Sequence, residues 1–89
     1  MASEREAVLT VRRILDQYGQ LTVEARVLRV DDDLFARGMN GLAAVDVLLA
    51  AETAFGIVFP SSMMARSSVQ TIRALLGCIR RLQAHPLAA

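Results

Sequence analysis

Lysine is absent from this 89-residue chain, which draws all ten of its positive charges from arginine, and tryptophan is absent too. Nine carboxylates bring the net charge to +1. So even a balance excludes a dedicated nucleic-acid binder, which shows a net basic face. The all-arginine habit carries no functional weight of its own. One cysteine, Cys78, excludes an internal disulfide or a cysteine metal cluster. One histidine, His85, lies in a tail expected to fray, and no Cys–His or Ser–His–acid set can be assembled around it. No apolar run approaches the roughly 20 residues of a membrane span. The start, MASEREAVL, lacks the charged-then-apolar layout of a signal segment, so a cytoplasmic protein without a membrane partner is expected.

Aromatic residues are scarce: Tyr18, Phe35, Phe55 and Phe59. The hydrophobic share is nonetheless 54%, supplied by Ala, Leu, Val, Ile and Met, which suits a helical core better than a sheet. The length suffices for one small domain, residues 1–89, with an ordered core of about residues 4–84.

Ser3-Glu4-Arg5-Glu6 forms a capping box, and Val8, Val11, Ile14, Leu15 and Tyr18 then follow at three- and four-residue steps. This predicts a first helix over residues 4–18, ended by Gly19 in the left-handed conformation. Residues 19–38 show no sustained period and predict a long loop pinned by its own apolar side chains. Within it, Asp33-Leu34-Phe35 predicts a single helical turn closed by Gly38. Asn40, the only asparagine, is a good N-cap for a second helix over residues 41–55, with Gly56 past its end. Leu42, Val45, Leu48, Leu49, Glu52 and Phe55 trace one stripe of that helix, expected to face the core. The other side reads Ala43, Asp46, Val47, Ala50, Thr53 and Ala54. One carboxylate among small uncharged side chains leaves a surface on which another protein could pack, or only an alanine-rich helix of high propensity.

Ile57-Val58-Phe59-Pro60 reads as extended, and Ser61 to Ala65 as one short turn with Met63 and Met64 filling gaps beneath it. Ser67-Ser68-Val69-Gln70 offers a second capping box, opening a helix with Val69, Ile72, Leu75, Leu76, Ile79 and Leu82 on one stripe and ending near Ala84. The prediction is all-α: a small four-helix bundle of three main helices and one short one, with a long first loop. Three adjacent carboxylates, Asp31-Asp32-Asp33, lack the alternate spacing of a calcium loop and read as a solvated acidic loop. Cys78 beside the Leu75–Ile79 stripe reads as a small buried or half-buried residue. Arg80-Arg81 complements a helix C-terminus. Nothing here points to an enzyme or a metal site.

The central block runs Asp33-Leu34-Phe35-Ala36-Arg37-Gly38-Met39-Asn40-Gly41-Leu42, then Glu52-Thr53-Ala54-Phe55-Gly56-Ile57-Val58-Phe59-Pro60. In spacing and order it resembles the heart of the acyl and peptidyl carrier proteins. There an Asp-Leu-Phe turn leads to a glycine and then to Asp-Ser-Leu at the start of the second helix, and an acid with Phe-Gly-Ile ends that helix before a proline. The opening Ile14-Leu15-Asp16-Gln17-Tyr18-Gly19-Gln20-Leu21, together with the low acidity, is most similar to the stand-alone aminoacyl carrier proteins. The resemblance implies a carrier bundle over nearly the whole chain. It also implies a non-catalytic role, in which a serine at the helix start carries 4′-phosphopantetheine and its thiol bears the cargo.

The resemblance places Asn40 at the family's Asp, Gly41 at its Ser and Leu42 at its Leu. Glycine has no oxygen, so no cofactor is expected on the chain as written, and 4′-phosphopantetheine only if residue 41 were Ser. Ser61, Ser62, Ser67 and Ser68 lie outside the motif and do not replace it. The implied partners are an acyl- or aminoacyl-activating ligase and acyltransferase-type enzymes, with a phosphopantetheinyl transferase for a Ser form. Contact is expected at Met39, Ala43, Asp46, Val47, Ala50 and Phe59. Two readings of the missing serine stay open. One is a carrier whose serine was exchanged, by design or by a single codon change. The other is a natural carrier-like adaptor or regulatory subunit acting by protein contacts alone. An unrelated helical module, such as a nucleic-acid binder, fits the charge balance poorly.

Overall fold

A computed structural model describes residues 3–84; the tail expected to fray, with His85, lies outside them. Three α-helices carry the described chain: α1 (Glu4–Tyr18), α2 (Gly41–Phe55) and α3 (Ile72–Ala84). One-turn 3₁₀ pieces interrupt the connections at Ala25–Val27, Phe35–Arg37, Ser61–Met63 and Arg66–Ser68. No strand occurs among the described residues. The all-α expectation holds, and the short helix between α2 and α3 takes the form of two successive 3₁₀ turns.

α1 begins where the Ser3 hydroxyl accepts the Glu6 amide at 3.2 Å. Val11, Ile14 and Leu15 are buried. Tyr18, expected on the same stripe, stands at the rim, 39% exposed. The end of α1 also departs from expectation. Gly19 stays right-handed, and Gln20 takes the left-handed turn at φ 53°. Glycine is wanted at 19 for space, since a Cβ there would lie 2.8 Å from the Leu15 carbonyl oxygen.

The long connection is pinned by its own apolar residues, as expected, with Ala25, Leu28 and Leu34 buried in the core and Leu21, Val23 and Val30 packed against it, and by polar bonds as well. Arg12 of α1 reaches over and donates from Nη1 to the carbonyls of Ala25 and Leu28, the latter at 2.8 Å. Asp16, one turn further, accepts the Ala25 amide at 2.7 Å. The acidic run is likewise not merely solvated, because each carboxylate fastens a different strand of chain. Asp31 holds Arg73 of α3 in a two-pronged pair at 2.7 and 3.1 Å. Asp32 accepts the Arg29 amide at 2.8 Å, and Asp33 the Phe35 amide at 3.0 Å.

α3 begins later than expected. The Thr71 hydroxyl accepts the Ala74 amide at 3.0 Å and caps the helix, while Ser67 and Ser68 belong to a 3₁₀ turn. The hydroxyls competed for the cap, and the one nearest the fully buried Ile72 took it. The expected stripe holds, with Val69, Ile72, Leu75, Leu76, Ile79 and Leu82 all buried, and Cys78 buried among them. Met63 is only half-buried and Met64 is 47% exposed, so the second methionine fills no gap. α1, α2 and α3 close round this one cluster, and α2 packs chiefly on α1.

Candidate functional site

Four consecutive residues build the start of α2. Gly38 turns the chain at φ 112°, against the Gln20 carbonyl and Thr22, from which a Cβ built on it would lie only 3.1 Å away. Thr22 closes that contact by donating its amide and its hydroxyl to the Arg37 carbonyl, at 2.8 and 3.0 Å. Met39 is buried and anchors the segment. Asn40 is the cap: its Oδ1 accepts the Ala43 amide at 2.8 Å, and its carbonyl accepts the Ala44 amide at 2.9 Å.

Gly41 follows as the first residue of α2, and a Cβ built on it meets nothing within 4 Å. The site therefore has room for a side chain and lacks the atom. With no oxygen at 41, the residues present do not fit covalent attachment of 4′-phosphopantetheine there. Leu42, next in line, is 76% exposed.

The two sides of α2 are partly exchanged relative to expectation, although Asp46, Thr53 and Ala54 are exposed as expected. Ala43, Ala44, Val47, Leu48 and Ala51 are buried against the bundle. Of the stripe expected inside, Leu48 alone is fully buried, while Leu42, Val45 (41%) and Leu49 (50%) face outward. Of the six expected contact residues, Met39, Ala43, Val47 and Phe59 lie in the core and cannot present a surface. Ala50 is half-buried and Asp46 is exposed. The cause is physical. Leucines and valines fall all round this helix, so its pattern defines no apolar stripe, and the small Ala43, Ala44 and Ala51 let α1 approach closely on that side.

At 100° per residue, Leu42, Val45 and Leu49 form one ridge along the outer side of α2. A cleft of about 210 Å³ runs along one flank, bounded by Gly41, Val45, Met64 and Arg66. The Arg66 guanidinium lies 3.8 Å from the centre of the Phe35 ring. A shallower groove runs along the other flank, bounded by Tyr18, Asp46, Ala50 and Thr53. At the far end of α2, Gly56 takes φ 65°, and the amides of both Gly56 and Ile57 return to the Glu52 carbonyl. The Glu52 carboxylate accepts the Phe59 amide at 2.8 Å, folding residues 57–59 back along the bundle. That role was missed in the sequence, where Glu52 read as one more position of the stripe.

A further cleft, about 580 Å³, lies between the ends of α1, α2 and α3. Its charged residues, Glu4 and Arg80, pair with each other, and it holds no nucleophile–base set. No group of three or more His, Cys, Asp or Glu able to hold a metal ion occurs among the described residues. No described helix is long and apolar enough to cross a membrane.

Comparison with known proteins agrees with this geometry. The family described as phosphopantetheine attachment site matches residues 9–79. An aminoacyl carrier protein of Agrobacterium fabrum is 36% identical over 71 residues, covering 80% of this chain and 86% of that one. Two similar chains come from crystal structures of an engineered Bradyrhizobium japonicum glycine:[carrier protein] ligase complexed with a carrier protein from Agrobacterium tumefaciens. In the AMP complex the TM-score is 0.80 at 33% identity, covering 82% of this chain and 97% of that one. In the ATP complex it is 0.81 at 32%, covering 84% and 97%.

Proposed function

The chain belongs to the phosphopantetheine attachment site family, and from that premise we propose that it is a carrier protein of the aminoacyl kind that docks on its partner enzymes without bearing the prosthetic arm. The observation that carries this reading is the start of α2, where cap, turn and anchor are complete and position 41 has space but no side-chain hydroxyl. In this reading Gly41 occupies the position of the attachment serine, flanked by Asn40 and Leu42. The chain acts in the cytoplasm and catalyses nothing. Its partners are a ligase that activates an amino or acyl group, as in the complexes of the similar carrier, and acyltransferase-type enzymes. A phosphopantetheinyl transferase would be a partner only of a serine form.

The docking surface moves from the expected residues to the exposed ridge. Leu42, Val45 and Leu49 stand at positions i, i+3 and i+7, the spacing with which a helix lays one face into an apolar groove. Asp46 and Ala50 remain at its edge.

Two measurements test the reading. The chain and its Gly41→Ser variant are incubated with coenzyme A and a promiscuous phosphopantetheinyl transferase, and intact masses are recorded. The expected result is no gain for the native chain and one phosphopantetheine for the variant. Modification of the native chain would show that another hydroxyl serves and refute the claim that the arm is absent. In the second measurement the native chain should bind the Bradyrhizobium japonicum ligase, and failure to bind would refute the docking role.

A further inference from the structure

Resting on that docking role, we infer that the partner's cradle is polarised: an apolar cleft with a carboxylate on the side meeting Arg66 and a cationic group on the side meeting Asp46.

The inference starts from two charges on opposite flanks of the same ridge. Arg66 borders the cleft beside Val45 and Met64, and Asp46 borders the groove beside Leu49 and Tyr18. Among the described residues neither has an oppositely charged partner within 4.0 Å. Arg66 is also held in place, because its guanidinium stacks on Phe35. A stacked guanidinium keeps its N–H edge free and loses little freedom on meeting a carboxylate, which it can grip with two parallel bonds.

The surroundings reinforce the sign. The first turn of α2 carries no acidic residue. The positive end of the helix dipole therefore adds to Arg66 instead of being neutralised. An anionic group on the partner is drawn to this end of the ridge and a cationic one is repelled.

The two charges also settle orientation. The ridge of Leu42, Val45 and Leu49 is nearly featureless, and an apolar cleft could take it pointing either way along its length. Turning the chain end for end in a polarised cleft exchanges the flanks and sets Arg66 against the cation and Asp46 against the carboxylate. Like charges facing across an interface are strongly disfavoured. A single orientation survives, the one that brings the start of α2 to a fixed place on the enzyme.

The test uses the native chain and the Bradyrhizobium japonicum ligase, with affinity measured at about 50 and about 300 mM salt, conditions that differ in screening length. Arg66→Lys, which keeps the charge but loses the stacking and the two-pronged grip, should bind more weakly than native and more tightly than Arg66→Glu, whereas Arg66→Glu and Asp46→Lys should each bind about tenfold more weakly than native at low salt. The differences should shrink at high salt. All three positions tested are exposed, and circular dichroism checks that each variant is folded; Arg66→Gln replaces Arg66→Glu if the latter is not. If both charge reversals bind like the native chain while Leu49→Asp does not, the polarised cradle is refuted and the docking role stands. If the native chain does not bind, or Leu49→Asp binds equally well, the docking role itself falls and the cradle with it. A dimer of this chain that Leu49→Asp abolishes would show that a second copy covers the ridge, and would also overturn the inference.

Discussion

Val47 and Leu49 are two residues apart on α2, and the structure assigns them opposite consequences. Val47 has no exposed surface, whereas Leu49 is half exposed. An aspartate at 47 forfeits the transfer of the valine side chain, about 1.5–3 kcal/mol. The new carboxyl must also be neutral to remain inside. Keeping a group of ordinary pKa about 3.9 protonated at pH 7 costs about 4 kcal/mol, at about 1.36 kcal/mol per pH unit. Together these approach about 6 kcal/mol. A chain of 89 residues at about 0.05–0.15 kcal/mol per residue holds only about 4–13 kcal/mol in total. Val47→Asp should therefore lose about half or more of the chain's stability at pH 7 and melt far below the native chain.

Leu49→Asp gives up only part of its burial and some helix propensity, about 1–2 kcal/mol together. It should stay folded, melting roughly 10 °C below the native chain. Far-ultraviolet circular dichroism with thermal and urea denaturation reads both. If Val47→Asp melts cooperatively within about 5 °C of native, the placement of α2 is wrong. The same holds if Leu49→Asp is the variant that unfolds. The opposite orientation of the helix, drawn from the Leu42, Val45 and Leu49 stripe, predicts that reverse pattern.

Two further outcomes follow from the polar fasteners of the long connection. Arg12→Met removes two charge-assisted bonds to backbone carbonyls at a half-buried position. Partial access of water limits the loss to about 2–3 kcal/mol, read as a lower urea midpoint at unchanged slope, and a change below about 0.5 kcal/mol would refute its pinning role. The side-chain hydrogen bond from Arg73, aided by its charge, holds the Asp31 carboxyl below its ordinary range. A depressed folded pKa gives stability that is present above the unfolded value, about 3.9, and is lost as pH falls through the folded one. The stability difference between native and Asp31→Asn should thus be constant over pH 5–8 and vanish only below about pH 4, and it should shrink with salt because the pair is exposed. A difference that disappears already near neutrality would refute the assignment.

Local signals marked the helices well. Ser3 and Tyr18 bound α1, and Asn40 and Gly56 bound α2, because a cap and a left-handed glycine are decided within a few residues of chain. The start of α3 was less legible, since Ser67, Ser68 and Thr71 all offer a capping hydroxyl and only packing round Ile72 selects among them. The connection after α1 read as a loop pinned by its apolar side chains, as it is, yet the polar bonds that also hold it were invisible. Arg12 and Asp16 meet Ala25 across nine or more residues, and nothing in a linear pattern announces such bonds.

The side of α2 that faces outward was the harder matter, and it bears most on function. Periodicity identifies a buried stripe by contrast with a polar one, and α2 offers almost no contrast. Burial is then settled by what fits against α1. Ala43, Ala44, Val47, Leu48 and Ala51 are taken into the core, and Leu42, Val45 and Leu49 are left outside. An apolar helix that keeps its large side chains in water, in a bundle with a filled core, carries a surface its own fold does not need.

The same reasoning separates the fold from position 41. Every bond that starts α2 is made by a neighbour: Gly38 turns the chain, Met39 anchors it, and Asn40 accepts the Ala43 amide. Residue 41 contributes only backbone, and a Cβ placed there would meet nothing within 4 Å. A hydroxyl at this position is thus free to be kept or lost with little consequence for the bundle, because it takes part in none of the contacts that hold it. An oxygen placed here would be open to chemistry with something outside the chain. Without it that chemistry is absent while the exposed ridge of Leu42, Val45 and Leu49 stays in place, so that under the proposed function docking and carrying are separable.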